Sequence, residues 1–176
     1  MVALTLPDGR VLQFDTPKCG ADVAAEIGPG LAKAALAIRV DDDLWDLSRV
    51  LDDDAEISIV TLKDDDALVL DLLRHDAAHV LAEAAKELYP DIQVTIGPSI
   101  ADGFYYDFSR DEPFTPEDLE VMEARMHEIV DRNEEISREV WDRDAAIEFF
   151  KSMGEHYKAE IISAIPEGDS ITLYKQ

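Results

Sequence analysis

From about Ala67 to Tyr89 the chain carries one long run of helical periodicity, and Pro90 stops it. The residue before a proline is driven out of the helical region, so the run has a defined end. Leu68, Leu72, His75, His79, Ala82 and Lys86 fall close to one stripe of that helix, with Leu73, Val80, Leu81 and Leu88 on neighbouring positions. Before it, up to Leu62, the chain instead carries short strand-like alternations around two short helical stretches. The change of period divides the chain into residues 1–63 and 64–176, with Asp64-Asp65-Asp66 at the boundary, where their charges suit a helix N-terminus.

In the first part, Val2–Leu6 and Val11–Phe14 alternate around Pro7-Asp8-Gly9, a hairpin turn. A helix is expected over Ala21–Ile27, ended by Gly28-Pro29-Gly30, and a second over Leu31–Leu36. Strands follow at Ile38–Val40, Leu44–Leu47 and Glu56–Leu62. Two strands, a helix and further strands over about 60 residues is the β-grasp order, an α+β sheet crossed by a helix. The glycine-proline loop has no Lys-Ser/Thr after it and is no phosphate cradle.

In the second part, Val94–Ile96 and Gly103–Phe108 read as strands. Thr115-Pro116-Glu117-Asp118 reads as a helix start, with the helix running to Asn133. Ile136–Trp141 reads as a strand, followed by a helix from Asp142 to Gly154, a short helix over Tyr157–Ile165 and a strand over Ile171–Tyr174. The whole is therefore α+β in class.

Sixteen Lys and Arg against 40 Asp and Glu give a net charge of −24. Such a surface repels phosphate backbones, which argues against this chain gripping nucleic acid by itself. The aspartate triplets sit at turns, where Asp is at home, and the acidity reads as solubility or adaptation to a salty cytoplasm. No run of 18 apolar residues is present for a membrane span, and the N-terminus lacks the basic and apolar stretches of a signal peptide. A single cysteine, Cys19, leaves no internal disulfide and fits a reducing, cytoplasmic setting.

The chemistry centres on His75 and His79. Four residues apart on a helix, they share one face about 6 Å apart along the axis. Such a pair can bind a metal, move protons or hold a polar substrate. As zinc ligands they need further donors, and His127 and His156 lack ligand spacing, so the pair are candidate metal ligands only. Position 76 is Asp where the zincin motif has Glu, which excludes that class. A lone histidine on such a face is most often half-buried packing; the pairing, with a Gly/Tyr-rich strand downstream, favours function. Along that strand Phe104, Tyr106 and Phe108 share a face. A tyrosine between two core phenylalanines must bring its hydroxyl to a partner, which makes Tyr106 a pocket candidate. Lys158 is one of seven lysines and by itself reads as a solvated neighbour of carboxylates.

Arg74–Ala84, Ile96-Gly97-Pro98, Asp102–Phe108 and Pro113–Leu119 resemble the editing domain of threonyl-tRNA synthetases. Leu6–Gly9 and Ile27–Ala37 resemble the TGS domain that precedes it in bacterial enzymes. The histidine motif is shared with alanyl-tRNA synthetases, whereas the TGS half together with Gly103–Phe108 is specific to the threonyl family. The resemblance implies a β-grasp TGS domain over 1–63 and an α+β editing domain over 64–176, built on the long histidine-bearing helix. It implies that the parent enzyme attaches threonine to its tRNA using ATP and zinc, neither of which it assigns to this region, and that the editing domain hydrolyses mischarged seryl-tRNA. By position, it carries catalytic roles to His75, His79 and Lys158, and a substrate-binding role to Tyr106. A Cys-x-x-x-His pair, the aminoacylation core and the anticodon-binding domain follow in that family beyond the position of Gln176, so the resemblance reads the chain as an N-terminal fragment, incomplete for catalysis. It implies tRNA as partner and a homodimer formed through the core. Two alternatives stand beside it: a TGS-type regulatory or RNA-binding module without catalysis, and a free-standing trans-editing deacylase.

Overall fold

The computed structural model describes residues 1–64, 67–134 and 136–175. Asp65 and Asp66, two of the three aspartates taken as the domain boundary, lie outside the described residues. The chain separates into two compact units, Met1–Val69 and Leu70–Gln176.

The first unit contains β1 (Val2–Thr5), β2 (Val11–Phe14), β3 (Lys18–Cys19), α1 (Gly20–Ile27), α2 (Pro29–Ala34), β4 (Ala35–Val40), β5 (Asp43–Trp45), β6 (Val50–Leu51) and β7 (Ala55–Thr61). Its main sheet runs β2-β1-β7-β4-β5, with β1 and β7 parallel and the remaining pairs antiparallel. This is the β-grasp sheet that the order of elements implied. The hairpin turns as expected: Gly9 takes φ 83°, and the Leu6 amide donates to the Arg10 carbonyl at 2.8 Å. Alternation in β1 buries Val2 and Leu4, which join Val23 of α1, Ile38, Val40, Leu51 and Ile57 in one core.

Two sequence expectations shift here. The second helix begins at Pro29, two residues before the expected start, because the fixed φ of proline suits a first helical position. It ends at Ala34, and Ala35-Leu36 open β4 instead, paired antiparallel with β7. The short β3–β6 ladder was unforeseen, since two-residue strands carry no periodicity.

The second unit is led by α3 (Ala67–Leu88), followed by β8 (Gln93–Val94), β9 (Ser99–Ile100), β10 (Gly103–Phe104), β11 (Phe108–Ser109), α4 (Pro116–Arg132), β12 (Ser137–Trp141), α5 (Arg143–Ser152), α6 (His156–Ala164) and β13 (Ile171–Lys175). The expected α4 start is a reciprocal capping box. Thr115 Oγ1 accepts from the Asp118 amide at 3.2 Å, and Asp118 Oδ2 accepts from the Thr115 amide at 2.8 Å. Asn133 closes α4 in the left-handed region, and the Asp142 carboxylate caps α5.

The expected continuous strand over Gly103–Phe108 is two short strands. The β9–β10 register pairs Phe104 with Ser99, whereas the β8–β11 register pairs Phe108 with Val94. Three residues on one side thus face four on the other, a bulge at Thr95-Ile96 opposite Asp107, whose carbonyl accepts from the Thr95 amide at 3.2 Å and whose amide donates to the Ile96 carbonyl at 3.0 Å. The alternation of exposure survives it: Phe104, Tyr106 and Phe108 are half-buried, Tyr105 and Asp107 exposed.

One core of this unit gathers Ala85, Ile92 and Met122 with Leu81, Leu88, Tyr89, Phe108 and Phe114; another gathers Ala146, Ile162 and Ile171 with Trp141, Ile147 and Phe150. The residues of α3 that are fully buried are Val69, Ala78, Ala84 and Ala85, so the stripe through Leu68, His75 and His79 is not the buried face. Small alanines let neighbouring elements approach closely, a signal that a reading weighted by side-chain size passes over.

Candidate functional site

The His75 and His79 rings meet on the exposed side of α3. Their Nε2 atoms are 2.9 Å apart and their centroids 4.6 Å apart, with planes at 73°. At that separation one nitrogen donates and the other accepts, the direction being set by the tautomers of the two rings. The helix fixes this arrangement, since residues four apart lie one turn above each other. The neighbourhood of His79 holds its pKa below the ordinary imidazole value. Shielding from water comes first, then the adjacent His75; the Asp76 carboxylate opposes the shift and the Lys158 ammonium adds to it.

Lys158 therefore lies within electrostatic reach of His79, although 79 residues separate them in sequence. It sits in the first turn of α6, half-buried, with Nζ 5.4 Å from the centre of the Phe150 ring. Burial pushes its pKa down, Glu155 pushes it up and Lys86 pushes it down. Tyr106 sits next to the bulge. Its ring stacks on Phe108 with centroids 4.8 Å apart, and burial together with Glu155 raises its pKa, so the hydroxyl stays a neutral donor at pH 7. The structure thus brings all four sequence-named residues into the second unit: the histidines touch each other, and Lys158 acts on His79 through space.

Three further residues were not read from the sequence as parts of the site, although Lys86 lies on the α3 stripe and Gly97 in the Ile96-Gly97-Pro98 run. Gly97 backs onto Tyr106: a Cβ there would stand 2.1 Å from the ring Cδ2. Glu155 and Lys86 form an ion pair at 2.5 Å, with Glu155 only 3% exposed. A glycine before Pro98 is a hint for the first; for the pair, which joins positions 86 and 155, the sequence carries no local signal.

Two imidazoles alone do not complete a tetrahedral zinc site, which takes four donors. Among the described residues no group of three or more His, Cys, Asp or Glu side chains is placed to hold a metal. Among the described residues, no helix is long and apolar enough to cross a membrane.

A β-grasp unit followed by an α+β unit with an exposed histidine pair defines a class of TGS-bearing chains, and the family model of the TGS domain matches residues 2–61. Over its full length the chain is 64% identical to a threonine–tRNA ligase of Paramagnetospirillum magneticum, 57% identical to one of Rickettsia akari and 59% identical to one of Thiobacillus denitrificans. It spans 27%, 27% and 28% of the length of these relatives. Along its whole length the chain is thus similar to a region of threonine–tRNA ligases, and over residues 2–61 it carries a TGS domain.

Proposed function

We propose that this chain is the N-terminal part of a threonine–tRNA ligase and that its second unit hydrolyses seryl-tRNA formed in error by the parent enzyme. The observation that carries the reading is the hydrogen-bonded pair of exposed imidazoles, His75 and His79, with the Lys158 charge acting on it. Hydrolysis of an aminoacyl ester needs a positioned water, an acceptor for its proton and a donor for the developing oxyanion. A neutral imidazole of the pair takes the proton as the water oxygen attacks the ester carbonyl carbon. The tetrahedral intermediate collapses by breaking the ester bond, and the ribose oxygen leaves with a proton. Lys158 stabilises the oxyanion or anchors the terminal ribose, and Tyr106 presents its hydroxyl to the bound aminoacyl group.

Selectivity follows from asymmetry between the two amino acids. A synthetic site that accepts threonine rejects serine weakly, since serine lacks only a methyl, whereas a second site can exclude threonine by shape. Synthesis of threonyl-tRNA with ATP, and tRNA as partner, belong to the parent enzyme in this reading. With a charge of −24, the region depends on other parts of that enzyme to draw in the tRNA.

The test is deacylation of pre-formed seryl-tRNA by the parent ligase, with and without His75→Ala. The substitution is expected to lower hydrolysis at least about 100-fold, with threonylation intact; normal hydrolysis contradicts the reading. A second reading, a TGS-type binding module without catalysis, draws on a cavity of about 490 Å³ in the first unit, lined by Leu6, Asp8, Arg10, Ile27 and Arg39 among others. RNA binding that survives removal of residues 70–176 favours that reading.

A further inference from the structure

Glu155 occupies the N-cap position of α6, yet its side chain makes no capping hydrogen bond. A carboxylate at that position ordinarily satisfies a free helix amide. Here it is buried instead, and Lys86 reaches it across from the last turn of α3. The Lys86 ammonium contacts Glu155 Oε1 at 2.5 Å and donates to the Ile92 carbonyl at 2.9 Å and the Pro90 carbonyl at 3.3 Å. The second oxygen, Oε2, is sealed from solvent and has no hydrogen-bond partner among the described residues. A buried carboxylate half-satisfied in this way is costly, and such groups persist where the unsatisfied half has work to do.

The groups around Oε2 indicate what that work is. Lys158 follows Glu155 by three residues, on the same face of the first turn of α6. Glu155 is the carboxylate that acts on Lys158, opposing both burial and the like charge of Lys86. It acts on Tyr106 as well. Glu155 is thus ion-paired with Lys86 of α3, while Lys158, three residues further on in α6, and Tyr106 feel its charge at longer range.

We propose that Glu155 is a positioning residue of the histidine site: anchored by Lys86 through one oxygen, its carboxylate supplies the counter-charge that holds the Lys158 ammonium at its station near His79. The inference rests on the hydrolytic reading for its purpose, but not for its geometry. Without this anion Lys158 would face a desolvated setting beside Lys86 and either lose its proton or turn out to solvent. In either case the site loses the Lys158 charge that acts on His79.

The experiment follows the Lys158 side chain by NMR across a pH titration of this chain, with the signal assigned through Lys158→Arg. Glu155→Gln keeps the shape and removes the charge, and is expected to lower the Lys158 midpoint by about one unit or more. Lys86→Met removes the competing cation and is expected to move the midpoint upward. Glu155→Asp, which keeps the charge, is expected to restore most of the shift, as a purely structural role for Glu155 would not require. Circular dichroism melts identify any variant that fails to fold, and the Lys86 variant then carries the test. A Lys158 midpoint unmoved in either folded variant overturns the proposal. In the parent ligase, Glu155→Gln is expected to lower kcat for seryl-tRNA hydrolysis about 10- to 100-fold with a smaller change in KM; unchanged kcat overturns the role in positioning. A wild-type ligase without hydrolysis, alongside intact coupling of Glu155 to Lys158, would instead refute the hydrolytic reading alone.

Discussion

At the scale of single residues, the site depends on close approaches that side-chain type does not announce. Gly97 is the clearest. Its backbone is not left-handed; it is glycine because the Tyr106 ring occupies the volume a methyl would need, with three ring carbons within 2.8 Å of an ideal Cβ. Gly97→Ala must therefore push Tyr106 off the face of Phe108. Overpacking of this kind costs about 1–3 kcal/mol, to be measured as a lowered urea midpoint together with a displaced Tyr106 ring signal. An unchanged midpoint would mean that the bulge can absorb a methyl. The same kind of concealment applies to Glu155, whose burial depends on Lys86, a residue 69 positions away. His75, His79, Tyr106 and Lys158 could be named from the sequence because a helical repeat, an alternating strand and a family pattern carried them. Their supports had no such pattern.

At the scale of elements, α3 and α4 are tied by charge at the surface. Glu87 accepts from Arg132 at 2.6 and 2.8 Å and from Arg125 at 2.8 Å. These hydrogen bonds hold the Glu87 pKa down to about 2, from an ordinary 4.5. A carboxylate with a depressed folded-state pKa contributes stability that is fully present above 4.5 and is lost as the pH falls toward 2. Because the cluster is partly solvated, its worth at neutral pH is discounted to about 1 kcal/mol. Denaturant unfolding of wild type and Glu87→Gln at pH 7 is expected to differ by about that amount, and at pH 2 most of the difference should be gone. An equal gap at both pH values would contradict the assignment. The elements themselves were legible where capping chemistry marked them: Thr115 and Asp118 at the start of α4, Asp142 at the start of α5, Pro90 just past α3. They were misread where a ladder changes register. The alternation through Gly103–Phe108 gives the correct faces but hides the bulge, because a one-residue slip is a property of two strands and only one was being read.

At the scale of the whole molecule, the chain joins a β-grasp unit to an α+β unit and carries a charge of −24 through both. The order of elements was sufficient for the first fold, because a parallel β1–β7 pair enclosed by antiparallel neighbours is what that order builds. The acidity suits a task that needs no grip on the phosphate backbone, as the proposed hydrolysis at the aminoacyl end of a tRNA held elsewhere would be. That claim is tested most directly by adding to this chain a non-hydrolysable amide of serine with a terminal adenosine, and its threonine counterpart, while following the histidine, Tyr106 and Lys158 signals by NMR. The account expects the seryl compound to shift His75, His79, Tyr106 and Lys158, and the threonyl compound to bind at least about tenfold more weakly, the discrimination that one methyl allows. Equal binding of both, or shifts confined to residues outside this set, would contradict it.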